Sequence, residues 1–236
     1  MKKKASLFIL IMLIILGYSF YNGYVWFNNP DSKKYQVRGI DVSNHQGIIN
    51  WKLVKEQGYT FAYIKATEGN DYKDKYFNDN WKNTKALDIS RGAYHFFTFG
   101  SSGVEQAKNF ISTVPIEKHM LPIVIDIEFG GNSKNIPTKD KLKKELTDFI
   151  YEIETKYKSK PILYLTYDSY DEYIKGDFEE YQVWIRDIFK FPKFQNTQEW
   201  IFWQYCNRGR VKGVKGLVDL NVFNGNSSEF NKMISK

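Results

Sequence analysis

Short runs of β-branched and aromatic residues recur along the chain from Arg38 onward, and stretches of mixed polarity separate them. Runs of this length are too short for helices and indicate buried strands. Eight strands are predicted: Arg38–Ser43, Phe61–Thr67, Arg91–Phe97, Leu121–Glu128, Pro161–Tyr167, Gln182–Asp187, Trp200–Tyr205 and Val218–Phe223.

Helical periodicity fills several intervals between these strands. The clearest helix is Thr138–Tyr157, whose apolar residues recur on one face. Others are predicted over Asn50–Gln57, Tyr76–Leu87 and Val104–Thr113, and only short helical pieces follow the fifth strand. Alternating strands and helices predict a parallel sheet. Eight strands then predict the α/β class, as an irregular eight-stranded (β/α) TIM-like barrel with abbreviated helices in its second half.

The N-terminal pattern is different. Lys2, Lys3 and Lys4 precede an apolar stretch from Ala5 to Phe27. A basic start followed by an apolar run is typical of an export signal, and this stretch is long enough to span a bilayer. No pair of small residues stands at cleavage spacing, so we expect the segment to be retained as an N-terminal apolar helix.

The resulting domain plan has four parts. Residues 1–4 are a cytoplasmic basic start, 5–27 a transmembrane signal-anchor, 28–37 a polar linker and 38–236 the barrel domain. The protein is thus expected in the cell membrane, with a single pass and an extracellular barrel. The alternative is a cleaved signal peptide and a secreted domain.

Composition narrows the choice of partners. The net charge is +7, and 7 − 3 = +4 remains without the three N-terminal lysines. A mildly basic surface favours anionic partners, but no basic helix or nucleic-acid motif is present, so nucleic acid is not an expected partner. The single cysteine, Cys206, excludes an intrachain disulfide. We expect a monomer.

Two carboxylates share one face of the predicted strand Leu121–Glu128. Side chains alternate along a strand, so Asp126 and Glu128 point the same way. Their α-carbons are expected about 6.6 Å apart, because a strand rises about 3.3 Å per residue. That separation is near the spacing of the carboxylate pair of a glycosidase. A metal site or a salt-bridged pair of acids is the alternative.

A barrel enzyme carries its active site at the C-terminal ends of its strands. Polar residues stand at those ends here, and they include four acids from three strands. Crowded carboxylates raise the pKa of at least one member, which leaves a neutral acid at working pH. The polar residues at the strand ends are Asp41, Lys65, Glu68, His95, Asp126, Glu128, Tyr164, Trp184, Arg186, Gln204 and Asp219.

The sequence contains no motif for acyl transfer, phosphate binding or dinucleotide binding. No nucleophile elbow, phosphate loop or dinucleotide fingerprint is present, and Cys206 has no identifiable histidine partner. No two histidines stand at ligand spacing, so neither a metal nor another cofactor is expected. The set that a divalent ion would use is His95 with Asp126, Glu128 and Asp219.

Six short segments, taken together, resemble the lysozymes of glycoside hydrolase family 25. They are Gly39–Gly47 with Trp51, Phe61–Gly69, Gly92–Phe97, Pro122–Glu128, Trp203–Tyr205 and Val218–Phe223. The resemblance implies an irregular eight-stranded barrel. It also implies cleavage of the β-1,4 bond between N-acetylmuramic acid and N-acetylglucosamine in the glycan strands of peptidoglycan.

The resemblance also implies roles for single residues. Glu128 matches the general acid, Asp126 its partner, and Asp41 and Asp219 the family's other two active-site acids. Residues expected in the substrate groove are Lys65, His95, Tyr164, Trp184 and Gln204. Two other functions stay open: a catalytically weak wall-binding module of the same fold, and a glycosidase of another specificity, such as a chitinase.

Arg186 departs from the family pattern, which usually has a small residue there. Strand alternation places Arg186 on the same face as Trp184, toward the barrel interior. Its guanidinium can bind a carboxylate of the substrate, or it can pair with an active-site acid and lower that acid's pKa. We expect the contact with substrate.

Overall fold

The predicted strands close into a barrel. The structure is a computed structural model that describes residues 2–133, 136–194 and 198–234. Within these ranges the sheet runs in the order β1-β9-β8-β7-β6-β5-β4-β2-β3, and pairing of β1 with β2 closes it, so that β3 is a short appendage. The strands are β1 Arg38–Val42, β2 Phe61–Glu68, β3 Tyr72–Lys73, β4 Ser90–Phe96, β5 Val124–Ile127, β6 Ile162–Leu165, β7 Gln182–Arg186, β8 Trp200–Gly209 and β9 Val218–Phe223.

The barrel is not parallel throughout, because β9 runs antiparallel to both of its neighbours, β1 and β8. The chain therefore returns from β8 to β9 without a crossover helix. This reversal places the beginning of β9 at the barrel end where the other strands finish. Asp219, the second residue of β9, consequently lies directly opposite Asp41 of β1.

The helices surround the barrel unevenly. The long helix α5 begins after Thr138, whose hydroxyl accepts a hydrogen bond from the backbone N–H of Lys141. After β6 only a short turn and a wider π-type turn at Tyr170–Ile174 replace a full helix, as the sequence predicts. The C-terminal helix α7 was not predicted. The helices are α1 Lys2–Tyr21, α2 Trp51–Glu56, α3 Phe77–Ala86, α4 Gly103–Thr113, α5 Lys139–Tyr157, α6 Tyr167–Ser169 and α7 Ser227–Ile234.

Aromatic side chains fill the lower part of the barrel. Phe61, Tyr63, Trp184 and Phe202 are fully buried and form one contiguous cluster inside it. Gly39 makes room for this cluster, because a Cβ at that position would overlap the ring of Phe61. Below the cluster, the ring of Phe230 on α7 lies 5.5 Å from the Phe61 ring and closes the barrel's N-terminal end.

A second apolar layer lies between the strands and the helices. Residues that alternate with the interior ones, such as Ile125 and Ile127 of β5, belong to a cluster that also contains Leu146 and Phe149 of α5. The two layers together hold the strands rigidly. This rigidity fixes the side chains at the open end.

Helix α1 ends at Tyr21, and its large apolar side chains from Leu7 to Leu16 are exposed. In the described ranges, we find no helix whose length and apolarity together suffice for crossing a membrane. The predicted single-pass anchor over 5–27 is therefore not supported.

The stretch after α1 contacts the barrel. The indole Nε1 of Trp26 donates to the Tyr205 carbonyl at 2.8 Å, and the side-chain amide of Asn28 donates to the Asp187 carbonyl at 3.1 Å. Tyr35, inside the predicted polar linker 28–37, is buried. This stretch thus belongs to the packed structure of the domain.

Candidate active site

A cavity of about 410 Å³ opens at the C-terminal end of the barrel, the end where the sequence predicts an active site. All four predicted acids line it, together with four of the six predicted groove residues. The predicted residues that line the cavity are Asp41, Lys65, Asp126, Glu128, Tyr164, Trp184, Gln204 and Asp219, with Glu68 from the set of polar strand-end residues.

The central acid pair is held at the end of β5. Asp126 lies inside the strand and is buried, whereas Glu128 follows the last strand residue and is partly exposed. The loop beyond Glu128 is fixed by Asn132, whose side-chain amide donates to the carbonyls of Phe97 and Glu128 at 2.8 and 3.1 Å. Glu128 is therefore the member of the pair nearer to solvent, on a restrained backbone.

Asp41 is positioned by two amide side chains. Its Oδ2 atom accepts hydrogen bonds from Asn221 Nδ2 at 2.7 Å and from Gln204 Nε2 at 3.1 Å. The amides are oriented in turn: the Tyr164 hydroxyl donates to Gln204 Oε1 at 2.9 Å, and Trp184 Nε1 donates to Asn221 Oδ1 at 3.0 Å. This network spans five strands and holds the carboxylate in one orientation.

Asp41 and Asp219 form a coupled pair of acids on adjacent strands. Burial raises the pKa of Asp219 well above its usual range, and the nearby Asp41 carboxylate raises it further. Burial also raises the pKa of Asp41, while the hydrogen bonds from Asn221 and Gln204 lower it. Both acids therefore favour the protonated form more than an exposed carboxylate does, and Asp219 is raised further above its usual range than Asp41.

Burial also raises the pKa of both members of the central pair. The pKa of Asp126 lies well above its usual range because of burial and then because of the Glu128 charge. The pKa of Glu128 is raised by burial and lowered by the Arg186 guanidinium. The sequence points to Glu128 as the best candidate for a raised pKa. In the folded protein, burial raises the pKa of Asp126 at least as strongly as that of Glu128, because Asp126 lies deeper in the barrel.

Lys65 lines the cavity and also binds an acid at its rim. Its ammonium group lies 2.6 Å from Glu68 Oε2 and 4.9 Å from the centre of the Phe96 ring. The charge of Lys65 lowers the pKa of both Asp126 and Glu128. Lys65 is thus the cation on the β2 side of the central pair.

His95 does not lie in the groove, so the sequence prediction was wrong at this position. The residue is fully buried on the outer face of β4, where its ring stacks on Phe149 of α5 at 4.7 Å. Its ring nitrogens contact Thr67 Oγ1 at 2.7 Å and Gln106 Oε1 at 3.1 Å. The physical reason is strand alternation, because the neighbours Tyr94 and Phe96 face the cavity.

Arg186 lies at the rim, outside the set of lining residues. It is the last residue of β7 and is partly exposed. Its charge lowers the pKa of Glu128, Asp41 and Asp219, so the guanidinium faces the acids.

Sequence reasoning missed several cavity residues. Alternation along β4 would have found Tyr94, and the segment Val218–Phe223 already contained Asn221. His45 lines the cavity although it follows β1 in a loop. It lies within the segment Gly39–Gly47, and a 3₁₀ turn after β1, with Ser43 as its cap, brings it there. The cavity residues that were not predicted are Val42, Ser43, His45, Gln46, Tyr94, Phe96, Val124 and Gly131.

Comparison with known proteins gives concordant results. The sequence profile of "Glycosyl hydrolases family 25" matches residues 40–214. Lysozyme M1 of Streptomyces globisporus is 36% identical over 208 residues, which cover 81% of this chain and 69% of that protein.

Solved structures are similar as well. A family 25 glycosyl hydrolase from Bacillus anthracis superposes with a TM-score of 0.82 at 43% identity, covering 87% of this chain and 97% of that one. The bacterial lysozyme from Streptomyces coelicolor gives a TM-score of 0.77 at 34% identity, with 84% and 97% covered. The fold and the acid-lined cavity are those of a barrel glycosidase. The chain belongs to family 25 of the glycosyl hydrolases.

Proposed function

We propose that the protein is a muramidase that cleaves the β-1,4 bond between N-acetylmuramic acid and N-acetylglucosamine in peptidoglycan. The observation that carries this proposal is the pair Asp126 and Glu128, set side by side at the end of β5 in the open cavity. Two carboxyl groups that flank a glycosidic bond can divide the work of acid and anion between them.

Glu128 acts as the general acid. It is partly exposed at the mouth and lies on a loop restrained by Asn132, so it can reach the leaving oxygen of a bound glycan. Burial raises its pKa, which favours the protonated form that an acid catalyst needs. The deeper residue Asp126 stabilises positive charge at the reacting sugar carbon, or orients the acetamido group, once it has lost its proton.

Asp41 and Asp219 are the other two acids that line the cavity. The amides of Gln204 and Asn221 hold the Asp41 carboxyl group in one orientation beside Asp219. Tyr164 and Trp184 are almost fully buried, so they serve by orienting these amides. Lys65, with the surfaces of Tyr94 and Phe96, forms the wall that a sugar would contact.

One observation favours the alternative of a catalytically weak wall-binding module. Arg186 lowers the pKa of Glu128, which weakens Glu128 as an acid. A binding module would still adsorb to cell wall, but it would release no new reducing ends.

Digestion of purified peptidoglycan separates these functions. A muramidase releases fragments whose new reducing end is N-acetylmuramic acid, whereas N-acetylglucosamine at the reducing end would indicate a different specificity. Glu128→Gln should abolish the release. The matched control is Asp148→Asn on α5, where the carboxylate lies 2.7 Å from the ammonium group of Lys144. Adsorption to cell wall without release of new reducing ends would contradict the muramidase and support the wall-binding module.

We further propose that the domain works outside the cytoplasm, as a monomer that α1 attaches to the membrane. The three lysines at the start of the sequence and the exposed side chains from Leu7 to Leu16 support attachment to lipid. Membrane fractionation with N-terminal sequencing tests attachment, and a mature chain that begins near Asn28 would contradict it. Light scattering tests the monomer.

A further inference from the structure

Arg186 is a cation at the mouth of the acidic cavity. It ends β7, two residues after Trp184, which lines the cavity, so its side chain points to the interior face one level nearer to solvent. On the neighbouring strand it pairs in register with Gln204, the residue that donates to Asp41. Its backbone is therefore fixed by the sheet on the same side of the barrel as the site.

The guanidinium has no direct partner in the described part of the chain. The ion pairs found there, all within 4.0 Å, do not include Arg186, and no side-chain hydrogen bond joins it to another described residue. A guanidinium has five N–H donors in a planar fork that matches a carboxylate. These donors face the mouth at a partly exposed position.

Arg186 influences the acids of the site without forming an ion pair with them. Its charge lowers the pKa of Glu128, Asp41 and Asp219, yet none of the ion pairs in the described residues joins it to any of the three. A cation so placed can meet a substituent of the sugar that lies over Glu128. A pure sugar ring carries no charge for it to bind, whereas the muramyl side of the glycan carries carboxylates.

We propose that Arg186 is a specificity residue that binds a carboxylate of the muramyl side of the substrate. The carboxylate belongs either to the lactyl group or to the peptide stem, and both would form the same two-pronged contact with the guanidinium. This inference rests on the proposed function, because it names the charged substituent that the same site selects.

The test is a cycle of two enzymes and two substrates. Wild type and Arg186→Gln are assayed on peptidoglycan fragments and on the same fragments after their carboxylates are converted to methylamides. We expect Arg186→Gln to raise KM about tenfold on the charged fragments, the size of a charge-assisted contact, with a smaller change in kcat. Methylamidation should raise the wild-type KM by a similar factor and leave the variant's KM unchanged. Equal losses of the variant on both substrates would overturn the proposal.

A second comparison separates the two sources of the carboxylate. Glycan stripped of its stems by an amidase retains the lactyl carboxylates alone. If the variant's KM rises only on stripped glycan, the lactyl group is the ligand, because its carboxyl group is tied up in the amide bond to the stem in stem-bearing fragments. An equal rise on both substrates would show that the guanidinium binds either carboxylate. If the variant's KM rises only on stem-bearing fragments, the stem is the ligand. If the variant's KM rises on neither substrate, neither the lactyl group nor the stem is the ligand, and the proposal is wrong.

Control variants guard against general effects of charge and folding. Lys190→Gln removes a positive charge four residues further along the chain, where the ammonium lies 5.8 Å from the centre of the Tyr167 ring, and it should leave KM unchanged. Arg186→Lys keeps the charge but loses the fork, so its KM should fall between those of wild type and Arg186→Gln. A KM of Arg186→Lys equal to that of Arg186→Gln, with Tm lowered in both, would indicate a structural role.

Binding measured without turnover keeps this inference separate from the proposed function. Calorimetry compares the Kd of charged fragments for Glu128→Gln and for Glu128→Gln combined with Arg186→Gln. A Kd about tenfold weaker in the double variant supports the contact even if the wild type cleaves no glycan, which would defeat only the proposed function. Equal Kd values would defeat the inference even if the wild type is an active muramidase.

Discussion

At the scale of single residues, this site is defined by how much each acid is exposed. Asp126 and Glu128 stand two positions apart, yet one is buried and the other reaches the mouth. The buried acid has the stronger tendency to keep a proton in the free protein, while only the exposed acid is placed to deliver a proton to a leaving group. We infer that substrate binding must favour the protonated form of Glu128 and the ionised form of Asp126.

Substitutions in the central pair test this division of roles. Glu128→Gln should lower cleavage of natural glycan by about 10²–10⁴-fold, because the leaving oxygen then receives no proton. The same variant should retain more activity on an aryl glycoside, whose leaving group departs without protonation. Asp126→Asn should impair both substrates, because its charge is needed with either leaving group. Cleavage of peptidoglycan by Glu128→Gln at a near wild-type rate would refute the assignment.

The pH profile of Arg186→Gln tests the electrostatics at the rim. Arg186 lowers the pKa of Glu128, so its neutralisation should raise that pKa and keep Glu128 protonated to higher pH. The alkaline limb of the kcat/KM profile, measured on soluble peptidoglycan fragments whose leaving group needs protonation, should therefore move to higher pH. In Lys190→Gln the limb should stay in place. A shift to lower pH in Arg186→Gln would mean that this limb does not report Glu128.

At the scale of elements, the most consequential feature is the reversal of β9, which turns Asp219 and Asn221 toward β1. A second feature is the junction after α1. There, Arg208 donates to the Tyr21 carbonyl at 2.6 Å, Arg210 donates to the Asn22 carbonyl at 2.5 Å, and Trp26 bonds to the backbone of β8. This junction fastens the N-terminal segment beside the strand extension that rises above the cavity.

Gly23 is the position at which this junction is most easily broken. Its φ is +70°, a region that disfavours other residues, and a Cβ there would overlap the Arg208 carbonyl oxygen. Gly23→Ala should therefore lower the free energy of unfolding by about 1–3 kcal/mol and detach the segment without changing kcat. Thermal unfolding with limited proteolysis measures both effects. Gly216→Ala is the control, since it shares a positive φ but has open space around its Cβ. A Tm loss for Gly23→Ala no greater than the control's would contradict the junction.

At the scale of the whole molecule, the fold buries a cluster of acids above an aromatic core. Two apolar layers stabilise the strands that carry the acids, and the ring of Phe230 on α7 closes the N-terminal end of the barrel below them. Burial of an ionisable group costs free energy when the group is charged. The site should therefore lower the free energy of unfolding of the domain at pH values at which its buried acids must ionise.

The pH dependence of stability gives the sign of this cost. The pKa of Asp126 is raised in the folded state. Its stabilising contribution to the free energy of unfolding is therefore fully present below the ordinary Asp pKa of about 4 and is lost as the pH rises through the raised value. Asp126→Asn should remove that loss and raise Tm at pH 7 by more than at pH 4. Asp148→Asn, on the surface, should show no such difference. An equal change in Tm at both pH values would indicate that Asp126 is not protonated in the folded protein.

The amino-acid sequence by itself determined the local features of this protein. Apolar runs and helical periodicity are properties of neighbouring residues, so they gave eight barrel strands and the helices α2 to α5 within a few residues of their observed bounds. The alternation rule gave the shared face of Asp126 and Glu128, and applied to β4 it would also have given Tyr94 in place of His95.

Only the tertiary structure decided the features that depend on distant segments. The antiparallel course of β9, the Asp41–Asn221–Trp184 contacts and the docking of Trp26 on β8 each join residues more than 30 positions apart, and no local pattern encodes such pairing. The pKa directions follow from the same cause, because burial and neighbouring charge exist only once the barrel has closed. Whether Arg186 pairs with an acid or stays free for a ligand was likewise decided by separations in space, which sequence spacing does not fix.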